Sequence, residues 1–262
     1  MKRTAFAAAA VLVLSACSAG VRSGTGLYDV RTLPDGPVGT SIQYGYTLLV
    51  QTHRLMKGYV RADLECSDCH LRAGTQARGG TLVGAYARFP QWNKRAHRVI
   101  ALQDRIAECF LYSMNGRAPA YNGKAMIAIV SYIAWISRGT PIGAAAPASD
   151  RYVEPLPSGS PNPIRGATVY AQDCERCHQH DGAGRSGTVP PLWGRRSFND
   201  GAGMAHVDRM TGFIHYNMPQ DAPGSLTLSQ AYDVAAFVLS HRRPHFRKSA
   251  LVLWPPLPAK SF

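Results

Sequence analysis

The chain has 262 residues and a formal net charge of +13 at neutral pH, with 29 lysines and arginines against 16 acidic residues. This length accommodates about two domains of ordinary size. No apolar run in the sequence reaches the roughly 20 residues that a membrane-spanning helix needs. A basic surface suits nucleic acid, acidic lipid, an acidic protein or a small anion. An export signal and the lack of a nucleic-acid-binding motif argue against nucleic acid.

The N-terminus has the features of a secretion signal. Lys2 and Arg3 precede an apolar run that ends at Leu14 and is too short to cross a bilayer. The sequence LSAC, ending at Cys17, resembles a bacterial lipobox, in which the cysteine is acylated. We predict a periplasmic protein held to a membrane only by this lipid. The alternative is an ordinary signal peptide that leaves Cys17 without a role. The predicted segments are a signal peptide at 1–16 and a tether at 17–38.

A helical segment around 42–56 precedes the first of two Cys-x-x-Cys-His runs, CSDCH at 66–70 and CERCH at 174–178. This spacing attaches one haem through two thioethers and offers the histidine to its iron. A zinc site would need a second ligand pair near each run, and none is present. The sequence therefore predicts two covalently attached haem c groups. The attachment residues are Cys66, Cys69, Cys174 and Cys177, and the histidine ligands are His70 and His178.

The sixth iron ligands are predicted to differ between the two haems. Small class I cytochromes use a methionine on the loop before their last helix, and Met218 lies there, 40 residues after His178. One residue short of the same offset, 39 residues after His70, the chain has Cys109 and no methionine. Cys109 has no partner for a disulfide, so the unpaired thiol and the missing ligand explain each other. The alternative is an inert Cys109 with Met114 on the iron. A thiolate lowers the iron potential and a thioether raises it, which directs electrons from the first haem to the second.

Basic residues are dense around Cys109. Asp104 and Glu108 are the only acids between Arg88 and Arg117. Such a run is often only a solvated surface, but arginine also binds small oxyanions well and lowers the pKa of a neighbouring thiol. The basic residues are Arg88, Lys94, Arg95, Arg98, Arg105 and Arg117.

The haem motifs lie 108 residues apart, and similar features recur after each of them. A helix closes each half, at Ala125 to Ser137 and at Leu228 to His241, the second preceded by a Thr227–Gln230 capping box. We predict a mainly α protein with two class I cytochrome c domains in tandem, joined by a linker rich in Pro, Ala and Gly. The predicted ranges are 39–138 and 164–244 for the domains, 139–163 for the linker and 245–262 for a C-terminal tail.

Four segments together resemble the thiosulfate dehydrogenase family of dihaem cytochromes, over roughly residues 39–244. They are CSDCHLRAGT at 66–75, the run from RIAEC to SMNG at 105–116, PPLWGRRSFNDGAGM at 190–204 and FIHYNMP at 213–219. The resemblance implies oxidation of two thiosulfates to tetrathionate, a reaction that can run in reverse. It also implies that electrons pass to a soluble cytochrome c or a similar acceptor.

The resemblance also assigns residues to roles. It implies His70 and Cys109 as ligands of the active haem, and His178 and Met218 as ligands of the second. It places substrate binding on Arg95, Arg105 and Ser113, with Arg117 where relatives often have lysine. Asn217 stands where some relatives have a lysine that can replace the methionine on the iron, so that exchange is not expected here.

Two other functions fit parts of the pattern. A dihaem electron carrier without enzymatic activity needs neither a cysteine ligand nor an arginine cluster. A cytochrome of the sulfur-oxidation pathway also has a His/Cys haem, but it loads thiosulfate onto the cysteine of a carrier protein. Such cytochromes usually pair with a separate small cytochrome, whereas this chain contains its own predicted His/Met domain.

Overall fold

The computed structural model describes residues 28–145 and 155–246 and is mostly helical. The first half contains α1 (Pro37–Val50), α2 (Thr52–Leu55), α3 (Cys66–Cys69), α4 (Leu71–Gly74), α5 (Leu102–Tyr112) and α6 (Lys124–Ile136). The second half contains α7 (Pro163–Asp173), α8 (Glu175–His178), α9 (Val207–Asn217) and α10 (Leu228–Ser240). Short 3-10 turns lie at Val30–Thr32, Tyr86–Arg88 and Gly203–Ala205.

The closing helices of the two halves are close to their predicted positions. The helix predicted from Ala125 is α6, and the one predicted from Leu228 is α10. The capping box at the start of α10 is present, since the Thr227 hydroxyl accepts from the Gln230 amide while the Gln230 side chain accepts from the Thr227 amide.

Each half is built on the same crossing of its first and last long helices. At the α1–α6 crossing, a Cβ on Gly45 would lie 2.0 Å from the carbonyl oxygen of Ala128. At the α7–α10 crossing, a Cβ on Gly166 would lie 2.1 Å from the carbonyl oxygen of Asp233. Both helix pairs therefore approach so closely that only glycine fits. The internal repeat seen in the sequence thus corresponds to the same helix–helix contact, at a glycine, in both halves.

The loops that follow the haem motifs also repeat. The Leu82 amide donates to the Gly74 carbonyl at 2.7 Å, and the Leu192 amide donates to the Gly182 carbonyl at 2.8 Å. Gly74 and Gly182 both have positive φ, which favours glycine. Each glycine follows its haem-motif histidine by four residues, whereas Leu82 follows by 12 and Leu192 by 14, so the second loop closes on the same glycine after two more residues.

A two-stranded antiparallel sheet, β1 (Gln91–Asn93) and β2 (Arg98–Ile100), lies between the first haem motif and α5. This sheet was not predicted from the sequence. Three-residue strands give too short an alternation of apolar and polar residues to be recognised. The hairpin matters for the site because Asn93 ends β1 and Arg95 lies in the turn that follows.

Parts of the predicted tether (17–38) and of the predicted linker (139–163) pack against the folded protein. Tyr28, Val30 and Leu33, from the predicted tether, pack against the core of the first half. In the predicted linker, the Gly143 amide donates to the Ala87 carbonyl at 2.8 Å. The predicted signal peptide, Cys17 and most of the C-terminal tail lie outside the described residues.

The two halves contact each other through backbone and side-chain hydrogen bonds. The Asp63 amide donates to the Arg196 carbonyl at 2.8 Å. The Asn115 side chain donates to the Ser197 carbonyl at 2.8 Å, and the Asn199 side chain donates to the Leu111 carbonyl at 3.0 Å. Within the described ranges, no helix is long and apolar enough to cross a bilayer.

Candidate active site and electron-transfer site

The first site is built on α3 and the residue that follows it. Cys66 and Cys69 are the first and last residues of α3, and His70 ends the helix. The Nδ1 atom of His70 is hydrogen-bonded to the carbonyl of Gly80 at 2.5 Å. This contact fixes the ring and directs Nε2, the nitrogen that can bind a metal, away from Gly80.

Helix α5 brings Cys109 to face this motif. Cys109 lies beside the His70 imidazole, which helps to lower the pKa of its thiol. Arg105, one turn earlier on α5, donates to the Cys109 Sγ at 3.2 Å. Burial raises the pKa of Cys109, but Arg105 and His70 outweigh this effect and bring the pKa below its usual value. The site therefore stabilises a thiolate, which is the form that binds iron or attacks an electrophile.

A buried carboxylate holds Arg105 beside the thiol. The Glu108 Oε2 lies 3.6 Å from the Arg105 guanidinium, and the Asn93 side chain donates to both Glu108 oxygens at 3.1 Å. Glu108 is only 6% exposed, and this burial raises its pKa while Arg105 opposes the increase. The end of β1 thus supports Arg105 through Asn93 and Glu108.

The other implied substrate-binding residues lie around this centre. The Arg95 guanidinium stacks on the Tyr112 ring at 4.1 Å and donates to the Gly201 carbonyl at 3.1 Å. Ser113 ends α5, four residues after Cys109, and its amide donates to the Cys109 carbonyl. The Arg117 side chain donates a hydrogen bond to the Gly58 carbonyl and stacks on the Tyr59 ring. Arg105 is therefore the predicted basic residue whose side chain contacts the Cys109 sulfur.

The second site is a mostly apolar cavity of about 300 Å³. Its wall contains Cys174, Cys177, His178 and Met218. The Nδ1 atom of His178 is hydrogen-bonded to the Pro190 carbonyl at 3.1 Å, as His70 is to Gly80 in the first site. Burial lowers the pKa of His178, which favours the neutral imidazole that a metal binds.

Three methionines line this second cavity: Met204, Met210 and Met218. Met210 lies inside α9 and is buried, whereas Met218 follows the last residue of that helix. Met114, the alternative ligand of the first site, is 4% exposed and belongs to the hydrophobic core.

Asn217, next to Met218, is buried and joins the two sites. Its side-chain oxygen accepts from the Gln76 side chain at 2.7 Å. Its side-chain nitrogen donates to the carbonyls of Arg78 and Phe213 at 2.9 and 3.0 Å. The loop after His70 is thereby tied to the segment that carries Met218.

Sequence reasoning missed several residues of these sites. Glu108 was read only as one acid in a basic run, and Asn93 lies 15 residues from it in sequence. Asp68, inside the first motif, lines the cavity of the second site, as does Cys69. The first haem motif thus forms part of the wall of the second site, which no local sequence pattern indicates.

The residues present fit two haem c groups. Each site has two thiols and a histidine whose Nδ1 is occupied by a carbonyl, and each has a sulfur-containing side chain on a facing element. Among the described residues, no cluster of three or more His, Cys, Asp or Glu side chains is arranged for an ordinary metal ion.

The chain matches two protein-family models, one in each half. Residues 59–142 match the model described as "SoxA/TsdA, cytochrome c domain". Residues 161–238 match the model described as "Cytochrome C oxidase, cbb3-type, subunit III". The tandem arrangement of two cytochrome c domains is therefore confirmed, and with it the presence of two covalently bound haem c groups.

Curated relatives decide the family. The chain is 40% identical to a thiosulfate dehydrogenase of Allochromatium vinosum, over 82% of this chain and 83% of that protein. It is 36% identical to one of Stutzerimonas stutzeri, over 82% of this chain and 71% of the relative. The chain belongs to the thiosulfate dehydrogenase family.

A solved structure of a member of this family has the same fold. The thiosulfate dehydrogenase (TsdBA) of Marichromatium purpuratum, in its as-isolated form, aligns with a TM-score of 0.76 and 36% identity, over 82% of this chain. The alignment covers 48% of that longer chain. A weaker likeness to the L-cysteine S-thiosulfotransferase subunit SoxA of Pseudaminobacter salicylatoxidans, 31% identical, spans only 31% of this chain. Similarity to the thiosulfate dehydrogenases thus extends over both cytochrome domains.

Proposed function

We propose that this protein is a thiosulfate dehydrogenase that couples two thiosulfate ions into tetrathionate and delivers two electrons to an acceptor. The observation that carries this proposal is the position of Cys109. It faces His70 and receives a hydrogen bond from Arg105 at 3.2 Å. A plain electron carrier has no use for a thiol and a guanidinium at this position.

Cys109 is the proposed nucleophile. When bound, the two haems supply one-electron acceptors for the electrons that the substrate loses. The Cys109 thiolate forms a bond to the outer sulfur of thiosulfate, which gives a cysteine S-thiosulfonate and releases two electrons. A second thiosulfate attacks the same outer sulfur, breaks its bond to Cys109, leaves as tetrathionate and regenerates the thiolate. The same residues allow the reverse reaction.

Electrostatics explains why this chemistry needs arginine. Two dianions must approach one thiolate, and their mutual repulsion opposes this approach. Arg105 provides positive charge at the sulfur itself, and Glu108 with Asn93 fixes its orientation. Arg95 and Ser113, which the family resemblance assigns to substrate binding, border the same end of α5.

The second site is the proposed exit for electrons, with His178 and Met218 as iron ligands. A thioether ligand favours the reduced iron, so this site attracts electrons from a thiolate-ligated first site. Asp68 and Cys69, from the first haem motif, line the cavity of the second site, which supports a short path for electrons between the two haems. A soluble cytochrome c or a similar protein is the proposed acceptor.

Export and anchoring are also part of the proposal. The leader at 1–16 and the lipobox-like LSAC ending at Cys17 suit a periplasmic lipoprotein. The lipid would hold the catalytic body at a membrane surface while both cytochrome domains remain in the aqueous phase.

The test replaces the proposed nucleophile in protein that retains both haems. We expect Cys109→Ala to lower thiosulfate-dependent reduction of an added cytochrome c by at least about 100-fold, because the thiolate is lost. The spectrum of the second haem stays unchanged. Turnover at the normal rate would refute the mechanism and favour a non-enzymatic carrier.

The matched control is Cys17→Ala, which removes the other cysteine outside the haem motifs. This variant should keep full activity but lose its association with membranes. If the purified protein lacks lipid at position 17, the anchoring part of the proposal is wrong, and the enzymatic part is unaffected.

A sulfur-oxidation cytochrome that loads thiosulfate onto a carrier protein is the second candidate. The family model that matches the first half is described for SoxA and TsdA together, so it includes both the sulfur-oxidation cytochromes and the thiosulfate dehydrogenases. This is the observation that favours the second candidate. Product analysis separates the two: tetrathionate formed from thiosulfate and an acceptor alone supports the dehydrogenase. A strict requirement for a carrier cysteine would support the other reading.

A further inference from the structure

A strongly basic groove lies where the two halves meet. It has a volume of about 880 Å³ and is lined by residues from segments 57–61, 111–117, 194–199 and 242–246. None of its described lining residues is an aspartate or a glutamate. We call it the basic groove. Its basic residues are Lys57, Arg61, Arg117, Arg195, Arg196, Arg242, Arg243 and His245.

Only part of this charge is neutralised by the protein. Arg196 pairs with Asp63 at 3.4 Å, and His245 pairs with Asp200 at 2.6 Å. The other exposed cations of the groove form no ion pair with a described carboxylate; they are Lys57, Arg61, Arg117, Arg195 and Arg242. Unpaired cations around one depression produce a positive potential that attracts anions.

The groove is connected to the wall of the second site. The Arg243 guanidinium donates to the Leu192 carbonyl at 3.2 Å and stacks on the Phe198 ring at 4.4 Å. Leu192 and Phe198 both line the cavity that contains His178 and Met218. A single layer of side chains therefore separates the floor of the groove from the second site.

We propose that the basic groove docks the acidic face of the protein that accepts electrons from the second site. This inference rests on the proposed function, because that function makes the second site the exit. A protein bound here would lie one side-chain layer from the haem cavity. Opposite charges would also speed the encounter, since electrostatic steering raises association rates by roughly 10- to 1000-fold at low salt.

Other anions fit the groove less well. A small sulfur oxyanion would fill little of 880 Å³, and neither Cys109 nor Arg105 lines the groove. The chain's own C-terminal segment, residues 247–262, contains three lysines and arginines and no acidic side chain, so it offers no opposite charge. The cations are spread over four separate segments, so a partner protein with a broad acidic surface can contact more of them at once than a small anion can.

The experiment reverses charge at two exposed residues of the groove, Arg195→Glu and Arg242→Glu, singly and together. Protein reduced in advance with ascorbate is mixed in a stopped-flow instrument with an oxidised small cytochrome c that has an acidic surface. We expect the double variant to lower the second-order rate constant about tenfold at low salt, with the difference fading at ~0.5 M salt. With a basic cytochrome c, the double variant should react faster than the unaltered protein.

Lys124→Glu, at the start of α6 and outside the groove, is the matched control and should leave both rate constants unchanged. Because thiosulfate is absent, this assay is independent of the chemistry at Cys109. Unchanged rates in the double variant would overturn the proposal. A raised KM for thiosulfate with normal transfer to the cytochrome would overturn it too, and would assign the groove to substrate.

Discussion

The two halves of the molecule start from the same construction. Each attaches a haem through a Cys-x-x-Cys-His run on a short helix, and each packs its first helix on its last at a glycine. Each also holds the Nδ1 atom of its histidine with a backbone carbonyl, from Gly80 in one half and Pro190 in the other. These shared features secure the cofactor and its histidine ligand.

The halves differ in the element that faces the histidine. In the first half this element is the middle of α5, with Cys109, Arg105 and a buried Glu108. In the second half it is the end of α9, with Met218 in a mostly apolar cavity. Under the proposed function, the shared scaffold would hold each haem, and the element facing the histidine would set whether that site performs chemistry or transfers electrons.

The largest effect is expected from making the first site resemble the second. Cys109→Met replaces the thiolate by a thioether, which cannot form the covalent intermediate and which raises the iron potential. We expect thiosulfate oxidation to fall to background and the midpoint potential of the first haem to rise. Potentiometry with spectroscopic detection measures the second effect. Retained turnover would show that the sulfur at this position is not the nucleophile.

The reciprocal change removes the proposed ligand of the second site. Met218→Gly should lower the midpoint potential of the second haem and slow reduction of an added cytochrome c roughly tenfold. Reduction of the first haem by thiosulfate should persist. Met210→Leu, which keeps the buried apolar volume of another methionine in that cavity, is the control. If Met210→Leu produced the potential shift instead, Met218 would not be the ligand.

A smaller effect is expected from the arginines of the first site. Arg105→Gln removes a charged contact worth about 1.5–3 kcal/mol, so kcat/KM for thiosulfate should fall roughly 10- to 100-fold. Arg95→Gln should cost less, because Arg95 is held by Tyr112 and Gly201 instead of contacting the Cys109 sulfur. Steady-state kinetics of both variants decides the order. A larger loss for Arg95 would mean that substrate draws it away from these partners.

The smallest change concerns the connection between the halves. Asn217→Ala removes three hydrogen bonds of a buried side chain and should lower the free energy of unfolding by about 2 kcal/mol. It should also lower the midpoint potential of the second haem, since Met218 loses the support of its neighbour. Gln76→Ala removes one of the three bonds and should have about half the effect on stability. Equal losses would show that the other two bonds contribute nothing.

Much of the architecture could be read from the sequence because its determinants are local. The haem motifs, the closing helices and the Thr227–Gln230 capping box are patterns of a few neighbouring residues, and each lies in the structure close to where it was predicted. The short hairpin was missed, and residues 28–36 were assigned to a tether although Tyr28, Val30 and Leu33 pack on the core. A few apolar residues in a short segment do not reveal whether a core lies beside them.

Two covalent haem sites and an unpaired thiol at Cys109 can be recognised from the order of the residues alone. The contact of Arg105 with this sulfur, the support of that arginine by Glu108 and Asn93, and the link through Asn217 between the two sites depend on the packing of the folded chain. These contacts join residues up to 141 positions apart. Spacing along the chain can specify ligands that share one turn or one motif, but contacts between distant elements depend on how the helices pack.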